Sequence, residues 1–263
     1  MEVCYDGTDY CGWQIQPNAI TIQQVIEQAL EQLYAGQKIR LTGSSRTDTG
    51  VHALGFVAHF DLPEQPIIPL DKLRQVMNRM LPDSIKIRRL EDTNSSFHAR
   101  YDAKGKAYSY VFNRGAASPF SAHYSRQILY AINPELIRQA AKHLEGTHDF
   151  SSFACEGGAK MENKVRTIFK IDVQEFEQYL CVTFVGDGFL YKMVRSIIGS
   201  LEDVGSEKLN PDAIKDIMAA EHRDAAGKTA PGCGLFLMKV FYGEEDPALF
   251  RLERLPFEYP MMD

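Results

Sequence analysis

The spacing of apolar residues changes period along this chain, and the changes mark its elements. Ile22, Val25, Ile26, Ala29, Leu30 and Leu33 recur at the three- and four-residue intervals of an amphipathic helix. Thr21-Ile22-Gln23-Gln24 in front of them has the form of a capping box, in which the Thr hydroxyl and the Gln side chain each satisfy an orphan backbone donor. Gly36 suits the C-terminal stop. A second helix is predicted over 70–81, with Leu70, Leu73, Val76, Met77 and Met80 on one face and Pro82 ending it. Asn133-Pro134 and Asn210-Pro211 each set an N-cap before a proline at the first helical position, and each opens a further helix. A fifth helix is predicted over 189–201.

Between the helices the period shortens to two. Residues 53–61 alternate, with Leu54, Phe56, Ala58 and Phe60 on one side. Residues 106–114 put Tyr108, Tyr110 and Phe112 on one face and Ala107, Ser109 and Val111 on the other. Strands are also predicted over 166–173, 179–185 and 234–242, and more weakly over 2–5, 38–43 and 84–90. The stretches 62–69, 91–105, 115–132 and 154–164 carry no period and read as irregular. The order is β-α-β-β-α-β followed by a run of β-α-β-β-α-α-β character. That is an α+β chain of two mixed halves, each a sheet covered by helices on one side. The halves are read as residues 1–105 and 106–243, with an acidic tail at 244–263.

Composition narrows the class. With 263 residues, 44% hydrophobic and 24% charged, the chain is neither disordered, collagen-like nor a disulfide scaffold. No apolar run approaches the ~20 residues a membrane-spanning helix needs, and the N-terminus lacks the layout of a signal peptide. Five cysteines, with no CxxC pair and no Cys/His metal spacing, imply free thiols in a reducing cytoplasm and no bound metal. The net charge of −6 taken alone argues against a nucleic-acid partner. Its distribution does not. Residues 72–114 hold ten basic residues against four acidic ones, while residues 244–263 hold six acids and two arginines. A basic stretch inside an acidic protein suggests a local anionic partner.

One segment concentrates chemistry: Gly43-Ser44-Ser45-Arg46-Thr47-Asp48-Thr49-Gly50-Val51-His52-Ala53. Asp between threonines before a Gly is what an ordinary Asx-turn uses. It is also a positioned carboxylate with a guanidinium two residues away, and Arg46 that close can hold Asp48 ionised as a nucleophile or base. An aspartic-protease reading needs a second Asp-Thr/Ser-Gly, which the sequence lacks. A Ser/His/Asp reading through His52 with Ser44 or Ser45 lacks a Gly-x-Ser-x-Gly elbow. No P-loop or GxGxxG is present, which disfavours a nucleotide cofactor.

The run SSRTDTGVHALGFVAHFD resembles the catalytic loop of the tRNA pseudouridine synthase A (TruA) family, usually of the form GRTDxGVHA. YDGTDYCGWQIQ with TIQQVIEQAL, SFHARYDAKGKAYSYVF, GTHDFSSFA, VRTI, GDGFLYKMVRSIIGSLEDVG and GKTAPGCGLFLMKVFY resemble the family's other signatures in order, so the likeness runs over residues 3–242. The resemblance implies the pseudouridine synthase fold, two ferredoxin-like (RRM-like) halves whose sheets join around a central cleft. It implies cofactor-independent isomerisation of uridine to pseudouridine at positions 38, 39 and 40 of the tRNA anticodon stem-loop, by a homodimer whose two subunits both contact tRNA. Asp48 then matches the catalytic aspartate, and Arg46 the arginine that helps the target uridine leave the RNA stack. Tyr108 matches the tyrosine that packs against the target base, and Arg195 an active-site arginine near the aspartate. The first strand is shorter than in relatives. Lys104-Gly105-Lys106-Ala107 stands where relatives often carry a denser basic pair, and the segment after Tyr242 matches nothing shared.

This chemistry needs no redox change or group donor. Attack by the carboxylate on sugar or base, and abstraction of a sugar proton, both stay open; so does the final base, Asp48 or Tyr108 through water. The basic window 72–114, with Lys86, Arg88 and Arg89, is the candidate grip on RNA phosphates. The site is expected where Asp48, from the first half, meets Tyr108 and Arg195, from the second. Two rivals are an RNA-binding module without catalysis and a hydrolase using Asp48. The hydrolase lacks a second carboxylate at an arguable position.

Overall fold

The computed structural model describes residues 1–155, 157 and 163–260, so part of the irregular stretch 154–164 and the last three residues of the tail lie outside the described residues. The strands are β1 (Glu2–Tyr5), β2 (Thr42–Gly43), β3 (His52–His59), β4 (Ile85–Arg89), β5 (Gly105–Asn113), β6 (Arg126–Gln127), β7 (Gly146–Asp149), β8 (Val165–Phe176), β9 (Tyr179–Gly186) and β10 (Leu235–Phe241). The helices are α1 (Ile22–Leu33), α2 (Leu70–Met80), α3 (Pro134–Lys142), α4 (Met193–Gly205) and α5 (Ala213–Ala219). This is a mixed α/β fold around one large sheet of order β4-β1-β3-β10-β5-β9-β8-β7, with β2 paired to β3 and β6 to β5. Among the described residues no helix is long and apolar enough to cross a membrane.

The alternation read from the sequence becomes two covered faces. Phe56, Tyr108, Tyr110, Phe112, Val182 and Phe184 point to the side where Ile22, Ile26 and Leu30 of α1, Leu73 and Met77 of α2, and Ile197, Ile198 and Leu201 of α4 close the main core. Leu54, Ala107, Val111, Cys181, Val185, Phe236 and Met238 point to the other side. There they are covered by Leu252 and Leu255 of the segment 244–260, which the sequence leaves without a role. β5 is buried along its whole length because both faces are occupied.

β10 holds the centre. Although it is the last strand in the chain, it inserts between β3 and β5, with Leu237 opposite Ala53 in parallel and opposite Tyr108 in antiparallel register. The strand that follows the Asp48 loop and the strand that carries Tyr108 therefore sit one strand apart.

Several boundaries differ from the sequence expectation, each for a local reason. The Thr21 hydroxyl accepts from Gln24 N as a cap should, but Gln24 Oε1 is buried without a partner, so the capping box is one-sided. α4 starts at Met193 because Lys192 is left-handed (φ 59°). Leu190 is apolar and buried in the turn before it, so the helical pattern begins too early. At Asn210-Pro211 the first turn closes with i to i+3 bonds, Ala213 N to Asn210 O and Lys215 N to Asp212 O, and the α-helix begins only at Ala213. Over 38–43 only Thr42 and Gly43 pair; Leu41 N donates instead to Glu27 Oε1 of α1 at 2.9 Å. The short polar strands β6 and β7 have no apolar alternation to reveal them.

Leu252 is buried while Arg251 beside it is exposed. Leu252→Ala is expected to lower unfolding free energy by about 2–4 kcal/mol, and Arg251→Ala by no more than about 0.5 kcal/mol, as read from urea denaturation.

Candidate active site

The Asp48 loop is built from beneath by the first thirteen residues. Trp13 N donates to Thr47 O at 3.2 Å, Gly50 N to Tyr10 O at 3.3 Å, and the Tyr5 hydroxyl meets Thr47 Oγ1 at 2.8 Å. Val51 N returns to Asp48 O at 3.1 Å, closing a tight turn whose third residue, Gly50, has φ 73° as a type II turn requires. Gly12 has φ 82°, and a Cβ there would lie 2.3 Å from Thr47 O, so only glycine lets the opening segment press against the loop. The YDGTDYCGWQ motif is thus a cradle for the carboxylate rather than a site of its own.

Arg195 arrives from the other direction, on the first turn of α4. Its Nη1 donates to Asp48 Oδ2 at 2.5 Å, across 147 positions of sequence. Its Nε donates to Ala230 O at 2.7 Å, and Ala230 N returns to Arg195 O at 3.0 Å. The segment carrying Ala230 reaches that position by lying on α4 at Gly199, where a Cβ would meet Lys228 O at 1.7 Å. The Asp48 and Arg195 side chains are 16% and 14% exposed, enough to be reached from solvent. One oxygen of Asp48 is anchored; among the described residues Oδ1 has no hydrogen-bond partner.

Tyr108 completes the group. Its hydroxyl donates to Ser45 Oγ at 3.0 Å, and Phe189 meets its ring edge to face at 5.3 Å between centroids. Burial, and to a lesser degree the Asp48 charge, pushes the phenol up to about 12, with the Ser45 bond opposing. Asp48, Arg195 and Tyr108 therefore converge. Arg46 stands apart: it is exposed on the loop, and the guanidinium paired with Asp48 is that of Arg195, not the neighbour two residues away. His52 serves the scaffold. Gly7 N donates to its Nδ1 at 3.1 Å, Asp6 Oδ1 lies 3.1 Å from the same nitrogen, and the carbonyls of His123 and Cys233 accept from Nε2, which removes it from any relay through Ser44 or Ser45. Burial alone would raise Asp6, but bonds from His52, Thr8 and Tyr124 more than offset it and hold the carboxyl well below the usual range.

The basic window contributes less free charge than its count suggests. Lys86 pairs with Asp83, Arg88 with Glu2, Arg89 with Glu91 and Arg114 with Glu175.

The sequence profile described as tRNA pseudouridine synthase matches residues 2–102 and 140–243. The chain belongs to the tRNA pseudouridine synthase family. Among curated relatives, tRNA pseudouridine synthase A of Brevibacillus brevis is 45% identical over 241 residues, 91% of this chain and 97% of the relative. Its counterpart in Thermoanaerobacter pseudethanolicus is 43% identical over 239 residues, 90% and 96% of the two chains. tRNA pseudouridine synthase A 1 of Protochlamydia amoebophila is 44% identical over 252 residues, 95% and 98%. A chain of the crystal structure of a Cbf5-Nop10-Gar1 complex superposes with a TM-score of 0.37 at 13% identity; this chain is covered to 93% and spans 59% of that one.

In this family member the site offers one anchored carboxylate with an open oxygen, a guanidinium beside it and an aromatic wall. That set can attack an electrophilic carbon or take a proton, and can stabilise negative charge on a leaving group. Phe189, Ser45 and the Tyr5-Tyr10-Trp13 cradle are missed by residue-level reading. The turn Gly186-Asp187-Gly188 just before Phe189 is the signal that takes it out of the predicted helix. With its phenol at about 12, Tyr108 stays neutral throughout the physiological range. The phenolate band in a wild-type minus Tyr108→Phe difference spectrum is therefore expected to stay absent until roughly pH 11, about two units beyond its onset for an ordinary tyrosine.

Proposed function

We propose that this protein isomerises uridine to pseudouridine in tRNA, at positions 38, 39 and 40 of the anticodon stem-loop, without a cofactor. The observation that carries the reading is Asp48 Oδ1, open to solvent, with Oδ2 tied to Arg195 and Tyr108 at its side. The names of the relatives support tRNA as the substrate. In the reaction the N1–C1′ bond breaks, the base turns, the C5–C1′ bond forms, and the proton on C5 is lost while N1 gains one. Asp48 Oδ1 opens the sequence, whether by attack or by drawing a sugar proton. Arg195 donates to the departing uracil anion. Flipping the base out of the stack costs a few kcal/mol, and packing on Tyr108 returns about 1–3 kcal/mol. Arg46, exposed beside the loop, fills the place the base leaves. A phenol at about 12 supplies roughly one phenolate in 10⁵ at pH 7, so Asp48, not Tyr108, takes the C5 proton.

The same proposal includes two ferredoxin-like halves, 1–105 and 106–243, supported by the helix and strand order and by the two separate stretches of the family match. It also includes a homodimer and a cytoplasmic location, the latter supported by five free thiols.

The test uses tRNA tritiated at uridine C5. Wild type is expected to release tritium and Asp48→Asn to release none. Arg195→Met is expected to lose about 10²–10³-fold in single-turnover rate. Equal release by wild type and Asp48→Asn would remove the carboxylate from its role, and tight binding without release would favour a binding module.

A further inference from the structure

The guanidinium of Arg195 is held at two points, and only one of them is Asp48. The other is Ala230 O, which accepts from Nε at 2.7 Å and so fixes the plane in which Nη1 is presented. Ala230 ends an irregular strap, residues 226–230, that lies on α4. The direction of Arg195 is therefore only as well defined as the strap.

A knot of polar groups holds that strap, and Arg223 is its centre. Half-buried, it donates from Nη2 to Thr229 Oγ1 at 2.9 Å, from Nη1 to Ala226 O at 3.2 Å and from Nε to Cys155 Sγ at 3.4 Å. None of the three is a carboxylate, so these bonds set geometry rather than neutralise charge. The planar fork grips both ends of the strap at once, which the single ammonium of a lysine would not do. Thr229 Oγ1 in turn lies 3.4 Å from Ser196 Oγ, and Cys155 Sγ lies 3.7 Å from both hydroxyls. Thr229 is the neighbour of Ala230 in the chain, and Ser196 is the neighbour of Arg195. The knot is itself anchored from outside, by His222 N donating to Ser152 Oγ at 3.0 Å and Cys155 N to Tyr191 O at 3.0 Å.

We infer that Arg223 is a positioning residue for the reaction. By holding Ala226 and Thr229 it places Ala230 O, and through that carbonyl it directs Nη1 of Arg195 at Asp48. The inference rests on the proposed role of the Asp48–Arg195 pair, and adds to it a second guanidinium that bonds to neither member.

The experiment measures single-turnover tritium release and the Kd for tRNA in wild type, Arg223→Met, Thr229→Val, Thr229→Ser, Arg195→Met and Arg223→Met combined with Arg195→Met. Arg223→Met and Thr229→Val are each expected to lose about 10–100-fold in single-turnover rate, as for a small misplacement of a group that acts on the substrate, with Kd unchanged. Thr229→Ser keeps the acceptor and should recover most of the rate, which separates the lost bond from a general loss of folding. With Arg195→Met already present, Arg223→Met should cost no more than about twofold further, because the group it positions is gone. Independently of activity, the ¹⁵N-resolved Nε–H signal of Arg195, assigned by its absence in Arg195→Met, should shift or broaden in Arg223→Met and Thr229→Val and stay in place in Thr229→Ser. Wild-type rates in both Arg223→Met and Thr229→Val, a loss confined to Kd, or a loss that multiplies in full with that of Arg195→Met would overturn the inference. Failure of the proposed function is a different result, in which wild type itself releases no tritium; the Arg195 signal then still reports whether Arg223 sets its place.

Discussion

The bond from Arg195 to Asp48 is the contact on which the rest of the molecule converges. Partly buried ion pairs add little net stability, because desolvation cancels most of the attraction. The value of this one is positional. It joins residues 147 positions apart, and each end is fixed by a separate framework. Thr47 is hung from Trp13 and Tyr5, while Arg195 is clamped to Ala230. Neither framework touches the reacting group, yet both determine where the open oxygen points.

What the sequence makes legible follows from what creates a period. α1 and α2 and the strands β3, β5, β8, β9 and β10 bury a face against the core, so their apolar residues repeat. Where burial and hydrogen bonding part company the reading fails: Leu41 is buried but gives its amide to Glu27, and Leu190 is buried in a turn. In the site, the Asp48 motif is visible as an unusual cluster of polar residues, and the resemblance supplies Tyr108 and Arg195. From the residues alone, without the resemblance, which guanidinium holds the carboxylate is not visible, because proximity in sequence favours Arg46 and the partner comes from a distant helix. Tyr108 is both things its pattern allows, a strand residue packed in the core and a hydroxyl on the Asp48 loop.

The charge asymmetry takes a more specific form in three dimensions. Four of the ten cations in the basic window pair with acids, Arg88 with Glu2 and Arg114 with Glu175 among them. The acidic C-terminal segment packs through Leu252 and Leu255 on the face shared with Ala107 and Val111, opposite that of Tyr108.

The central place of β10 ties the site to a strand made long after the two it joins. During translation, β3 and β5 exist long before residues 235–241 are made, and each then presents an unpaired edge of the kind that invites wrong pairing. The last strand both closes that gap and brings the Asp48 loop beside Tyr108. A growing chain can hold Asp48, Tyr108 and Arg195 and still leave them apart. The site depends on residues 235–241 taking their place between β3 and β5.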